Sequence, residues 1–190
     1  MPRNIIAREN ALPGTGAWQI AHPAERGEVE GYASVVSVAA GDAFALHVNV
    51  SEARDVRWDA YRVGYYDGEG GRLVAHGDAV RVTPQAPCPV ERATGMVACR
   101  WDAAFTVTTD ASWVTGLYLL KLVRDDGFES WVPMVLREAT PRAPLVVQAA
   151  VNTWQAYNDW GGASLYVNAL PQSAGFAGEH GYRVSFDRPY

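Results

Sequence analysis

Apolar and polar positions alternate through most of the first 140 residues, and turn residues break the alternation at short intervals. The run "VEGYASVVSVAAGDAFALHVNV" alternates in both halves, with Gly41 of "AAGD" between them, which predicts a β-hairpin or two strands of facing sheets. "VRWDAYRVGYYDGEGGRLVAHGD" repeats the logic: Val56, Trp58 and Ala60 share one face, "DGEGG" turns the chain, and "RLVAH" leaves as another strand. A Pro-rich loop leads to a short strand over 96–101, and "AAFTVTTDASWVTGLYLLKLVRDDGFESWVPMVLRE" predicts three more. Asp126-Gly127 is the tightest hairpin signal of the chain. Val107, Leu117, Leu119, Leu122, Trp131, Val132 and Val135 are the core candidates there, and Pro133 marks an edge position or a bulge. Before these strands, "IIARENALPGTGAW" reads as extended, with a type II turn at Pro13-Gly14. Roughly seven to nine short strands with no helical period predict a mainly β fold, an immunoglobulin-like antiparallel β-sandwich over residues 1–140.

The pattern changes after the linker signal "ATPRAP" at 139–144. "LVVQA" is wholly apolar, as in strands buried on both faces. "TWQAYNDW" opens a helix with Asn152 or Thr153 as its N-cap, Gly161-Gly162 stops it, and "SLYVN" resumes extended structure. Residues 141–190 therefore predict a short α/β-type segment, incomplete as a domain, or an extended arm. Leu145, Val146, Trp154, Trp160, Leu165 and Tyr166 would together expose more apolar surface than monomers tolerate. Self-association through them is the expectation, as a homo-oligomer or, where the contact does not close, a filament.

Charge narrows the partners. The net charge of -5, with no basic run, argues against a nucleic-acid surface and against tight binding to anionic membrane. No apolar run approaches the ~20 residues of a membrane-spanning helix. "MPRNIIAREN" has no signal-peptide apolar region, so an export signal is absent from this chain or already removed. Cys88 and Cys99 flank "PVERATGMVA", a spacing that suits neither a zinc site nor a CxxC motif. It fits a disulfide across a hairpin or loop, which would point to a secreted or periplasmic protein; two reduced, buried cysteines are the other reading.

Candidate chemistry is sparse. His22, His47, His76 and His180 lie far apart with no metal-ligand spacing, and no GxSxG, HExxH, P-loop or GxGxxG stands in the chain. Asp67 and Glu69 could meet calcium with backbone carbonyls, which an isolated acidic turn rarely does. "NTWQAYNDWGGASLY" over 152–166 is the unusual stretch. Tyr157, Asn158, Trp160 and Tyr166 could line a pocket, while Trp154, Trp160 and Leu165 could equally pack a joint to the sandwich.

Seven ordered segments, "ENALPGTGAW", "EGYASVVSV", "YRVGYYDGEGGRLV", "CRWD", "SWVTGLYLLKL", "NTWQAYNDWGGASLY" and "RVSFDRPY", closely resemble the N,N-dimethylformamidase large (beta) subunit-like family of bacterial proteins. The resemblance implies a β-sandwich followed by an α/β domain similar to glutamine amidotransferases, and a mononuclear iron, held by two tyrosines and a glutamate, that hydrolyses an amide. On the matching motifs it implies Tyr157 in "QAYN" and Tyr190 in "FDRPY" as metal ligands, with no third ligand in this chain. For this chain alone the expectation is a non-catalytic structural or binding module that self-associates through its C-terminal segment. The alternative is part of an iron-dependent amidohydrolase acting on a small amide, with activity that needs sequence beyond Tyr190.

Overall fold

The computed structural model describes residues 4–140 and 145–190. Strands β1 (Val29–Ala33), β2 (Ser37–Ala39) and β3 (Ala43–Val50) are followed by β4 (Arg54–Val63) and β5 (Gly71–Val82). A small hairpin of β6 (Val90–Glu91) and β7 (Met96–Val97) precedes β8 (Ala103–Thr108), β9 (Gly116–Arg124) and β10 (Glu129–Arg137). One sheet has the order β1-β3-β8 and the facing sheet the order β2-β10-β9-β4-β5. Every pairing in them is antiparallel except β2 with β10.

The chain thus changes sheet between β1 and β2, β2 and β3, β3 and β4, and again around β8. That Greek-key alternation is the immunoglobulin-like sandwich expected. Two local features of that fold are present. Trp58 stands buried on β4, and the Tyr118 hydroxyl at the start of β9 donates to Val114 O at 2.8 Å, the tyrosine corner. The inner faces carry Leu46, Val48, Val56, Leu120, Leu122 and Met134, all in one buried cluster. Each such side chain contributes about 1.5–3 kcal/mol by leaving water.

Period-two reading put some residues on the wrong face. Val107, Leu122 and Val132 are in the core as expected, whereas Leu117, Leu119 and Val135 are only half-buried and Trp131 is exposed. The inward set on β9 is Tyr118, Leu120 and Leu122, and on β10 it is Val132, Met134 and Leu136. Both faces of "LYLLKL" are apolar because the outer face is also partly covered, so the phase is invisible in hydropathy. Pro133 behaves as its chemistry demands: β2 pairs only with Val135–Arg137, so at Pro133 the strand has β9 alone as neighbour.

The N-terminal stretch is not wholly extended. Residues Ile5–Glu9 form α1, capped where the Asn4 side chain accepts from Ile6 N at 2.9 Å. The helix is latched by the buried Glu9 carboxylate, which accepts from Tyr66 Oη at 2.8 Å and Arg72 Nε at 2.7 Å.

Beyond the strands the chain departs from expectation. "LVVQA" is no buried strand: residues 145–150 have no regular structure, and Leu145 and Val146 are 82% and 86% exposed. Helix α2 is Val151–Tyr157, its cap two or three residues before the expected Asn152 or Thr153; Ala150 precedes it and supplies no side-chain cap bond. The extended structure expected at "SLYVN" shrinks to a single bridge, Ala163 to Asn168. Of the linker signal, residues 141–144 lie outside the described residues.

Candidate functional site

Helix α2 ends at Asn158, whose extended backbone turns the chain outward. Its side chain then works in two directions. Oδ1 accepts from Trp160 N at 3.0 Å, and Nδ2 donates to Gln155 Oε1 and to Pro189 O, each at 2.7 Å. Gly161 follows at φ 78°, in the left-handed region that glycine adopts freely. A Cβ at that position would lie 2.8 Å from Val97 Cγ1.

The loop so formed closes around Arg188, whose side chain is fully buried. All five guanidinium donors are used. Nη1 donates to Ala163 O at 2.8 Å and Trp160 O at 3.2 Å, and Nη2 to Asn158 O at 2.6 Å and Gln155 O at 3.4 Å. Nε donates to Gln155 Oε1 at 3.3 Å. The acceptors are carbonyls, and none is a carboxylate. Burying a cation costs several kcal/mol, and that desolvation lowers the Arg188 pKa. The offset is a set of charge-assisted bonds that order the loop. One donor in the knot, Gln155 Nε2, is buried with no partner.

Around this knot the aromatic side chains fall into three groups. Trp154 and Tyr190, with Leu117, Leu119, Trp131 and Pro133, line an open apolar groove of about 430 Å³ on the outer face of the five-stranded sheet. Tyr157 instead stacks on Tyr166, with centroids 4.3 Å apart and planes 10° from parallel. Trp160 turns the other way: its Nε1 donates to Glu30 Oε2 at 2.8 Å, and its ring meets Trp101 edge-on at 5.8 Å. Cys88 and Cys99 form a disulfide beside Trp101, Tyr32 and Trp160, so the bridged reading of the two cysteines is the one realised.

The family described as N,N-dimethylformamidase beta subunit-like, C-terminal, matches residues 57–190. The chain belongs to that family. No curated protein matches it. Among solved structures, the first Ig-like domain of human CD48 antigen is similar over 60% of this chain and 88% of its own, at 10% identity and a TM-score of 0.24. The sandwich assignment above rests on strand order and not on that likeness.

Placed in the formamidase-like family, the two tyrosines of the resemblance occupy segments that Arg188 ties together. Their chain neighbours, Asn158 and Pro189, are bonded directly at 2.7 Å. Tyr157 is 62% and Tyr190 42% exposed. Burial raises the Tyr190 pKa, and the Arg188 charge beside it works in the opposite direction. The Tyr166 pKa is raised by the Tyr157 hydroxyl next to it. A ferric ion suits hard oxygen donors able to lose a proton, and these phenols have that chemistry. The described residues contain no group of three or more His, Cys, Asp or Glu placed to hold a metal, so the phenols are the candidate donors. The expected association residues differ in exposure. Leu145, Val146 and Tyr166 are exposed, whereas Trp154, Trp160 and Leu165 are partly buried against the chain itself. Sequence reading missed Arg188 and Gln155. The one available signal was an arginine inside a tail otherwise rich in aromatic and apolar residues.

Proposed function

We propose that this chain is the tyrosine-bearing sandwich part of an iron-dependent amide hydrolase of the formamidase type, with Tyr157 and Tyr190 as two of the metal's oxygen donors. The observation that supports this reading most is the Arg188 knot. A buried cation is costly, and this one sits where it fastens the two tyrosine segments, through Asn158 O at 2.6 Å and the adjoining Asn158–Pro189 bond. A bound ferric ion would supply Lewis acidity toward an amide carbonyl and toward water. The chain's own contribution is to hold two phenols on fixed loops, with the Arg188 charge offsetting part of the burial that raises the Tyr190 pKa, and to set Tyr190 beside Trp154 and Pro133 in the groove. The disulfide fits an oxidising compartment, so the protein acts outside the cytoplasm as a secreted or periplasmic component. Iron content of the purified protein, measured with hydrolysis of a small dialkyl amide, tests the reading. Iron that co-purifies and is lost in Tyr157→Phe supports it, and iron-free protein from iron-supplemented culture refutes it.

A second reading keeps the module non-catalytic and self-associating. It is favoured by the strip Leu145, Val146 and Val147, the last 92% exposed, and by the open apolar groove that Trp154 and Tyr190 line. Light scattering on the intact chain and on Val146→Asp decides it. An oligomer dispersed by the substitution supports this second reading, and a monomer in both refutes it.

A further inference from the structure

The segment that carries Tyr190 is gripped by the β6–β7 hairpin as well as by the sandwich sheets. Cys99 N donates to Asp187 O at 2.6 Å, one residue before Arg188, and Tyr182 N donates to Thr94 O at 2.7 Å at the hairpin turn. Gly161 packs on Val97, and Gly95 lies against the Phe176 ring so closely that a Cβ there would sit 2.6 Å from it. The hairpin has only two paired positions, Val90 with Val97 and Glu91 with Met96. So short a ribbon is not stable by its own pairing. What closes it is the bond between Cys88 and Cys99. That bridge belongs to a small aromatic cluster with Tyr32, Trp101 and Trp160, separate from the main core between the sheets.

We infer that the Cys88–Cys99 bridge is a redox-sensitive clamp on residues 158–188. With the bond intact, the hairpin presents Thr94 O and Cys99 N at a fixed separation and holds the C-terminal segment in place. A dithiol opens it by thiolate attack on one sulfur, and the reductant's second thiol resolves the mixed disulfide. The reductant leaves as its own disulfide, and Cys88 and Cys99 become two thiols. Cys88 is the less buried of the two residues and is the point of entry. The hairpin then regains loop entropy, its two grips on the segment loosen, and the sandwich remains folded on its own core. The inference stands without any metal, because it concerns backbone opening alone.

Hydrogen exchange of the oxidised chain, of the chain in dithiothreitol, and of a Cys88→Ser, Cys99→Ser double variant tests it. The amides of Gly181 and Tyr182 should exchange at least about tenfold faster in the reduced chain and in the variant, and that of Cys99 likewise in the reduced chain. Those of β9 and β10 should not change, and the variant should be indifferent to dithiothreitol. Equal protection of Tyr182 in both redox states overturns the clamp. So does loss of protection in β9 and β10 together with it, which would make the bridge a support of the whole fold.

Discussion

Arg188→Met is the substitution that asks most of the knot. Methionine roughly fills the stem volume and relieves the desolvation of a buried cation, which stabilises the variant by part of the several kcal/mol that burial costs. Against that, five hydrogen bonds disappear. Ala163 O and Gln155 O are bonded at buried positions and are left without a donor, while Asn158 O and Trp160 O are part-buried and can recover water. Each orphaned buried acceptor costs about 1–3 kcal/mol. The groups left behind are neutral carbonyls, so the loss is smaller than the 3–5 kcal/mol typical of an orphaned buried charge. The net expectation is destabilisation of this segment by about 2–4 kcal/mol. In local opening that is roughly a 30-fold to several-hundred-fold change. The assay is hydrogen exchange at Leu165 and Gly181, whose amides donate to Ala156 O at 3.0 Å and Ser164 O at 2.7 Å inside the loop. Arg188→Lys keeps the charge but brings three donors to five bonds and should fall between. Unchanged or increased protection of Leu165 and Gly181 in Arg188→Met would refute the claim that Arg188 orders these loops.

Two further outcomes concern the sandwich. Tyr118→Phe removes the 2.8 Å bond to Val114 O and should lower the stability measured by urea unfolding by about 1–2 kcal/mol; no change would mean the corner bond is idle. The bidentate Arg124–Asp126 pair, at 2.8 and 2.6 Å, lowers the Asp126 pKa chiefly through the Arg124 hydrogen bond. A depressed folded-state value means that the contribution is present above the unfolded-state pKa of about 3.9 and is lost as pH falls through the lower folded value. Urea midpoints followed through that acid range should therefore fall less steeply in Asp126→Asn than in the parent, and identical slopes would count against the pair.

How much of this was legible depends on what each signal measures. Strand spacing, the Asp126-Gly127 turn and the inward set Val56, Trp58 and Ala60 came through because one face of β4 is polar, so alternation fixes its phase. The phase of β9 did not, since Leu117 and Leu119 are as apolar as Leu120 and Leu122 while facing the covered outer side. "LVVQA" shows the converse error: an apolar run reads as a strand by composition alone, whereas residues 145–150 have no regular structure. The two cysteines were readable by spacing as a bridge or as a reduced pair, and the bridge is the one formed. Arg188 was not, because nothing in the residue itself tells a solvated guanidinium from one enclosed by carbonyls. Its burial is decided by Gln155, Asn158, Trp160 and Ala163, which lie 25–33 residues away in the chain.

The central claim, that the Arg188 knot presents Tyr157 and Tyr190 as metal-binding phenols, is tested most directly by titrating the oxidised chain with ferric nitrilotriacetate and recording the visible spectrum. The account predicts a phenolate-to-iron charge-transfer band that is weakened in Tyr157→Phe, weakened in Tyr190→Phe, absent in the double variant and unchanged in Tyr65→Phe, where the substituted tyrosine is exposed on a distant turn. A parent chain without the band, or a band that survives removal of both tyrosines, would contradict it.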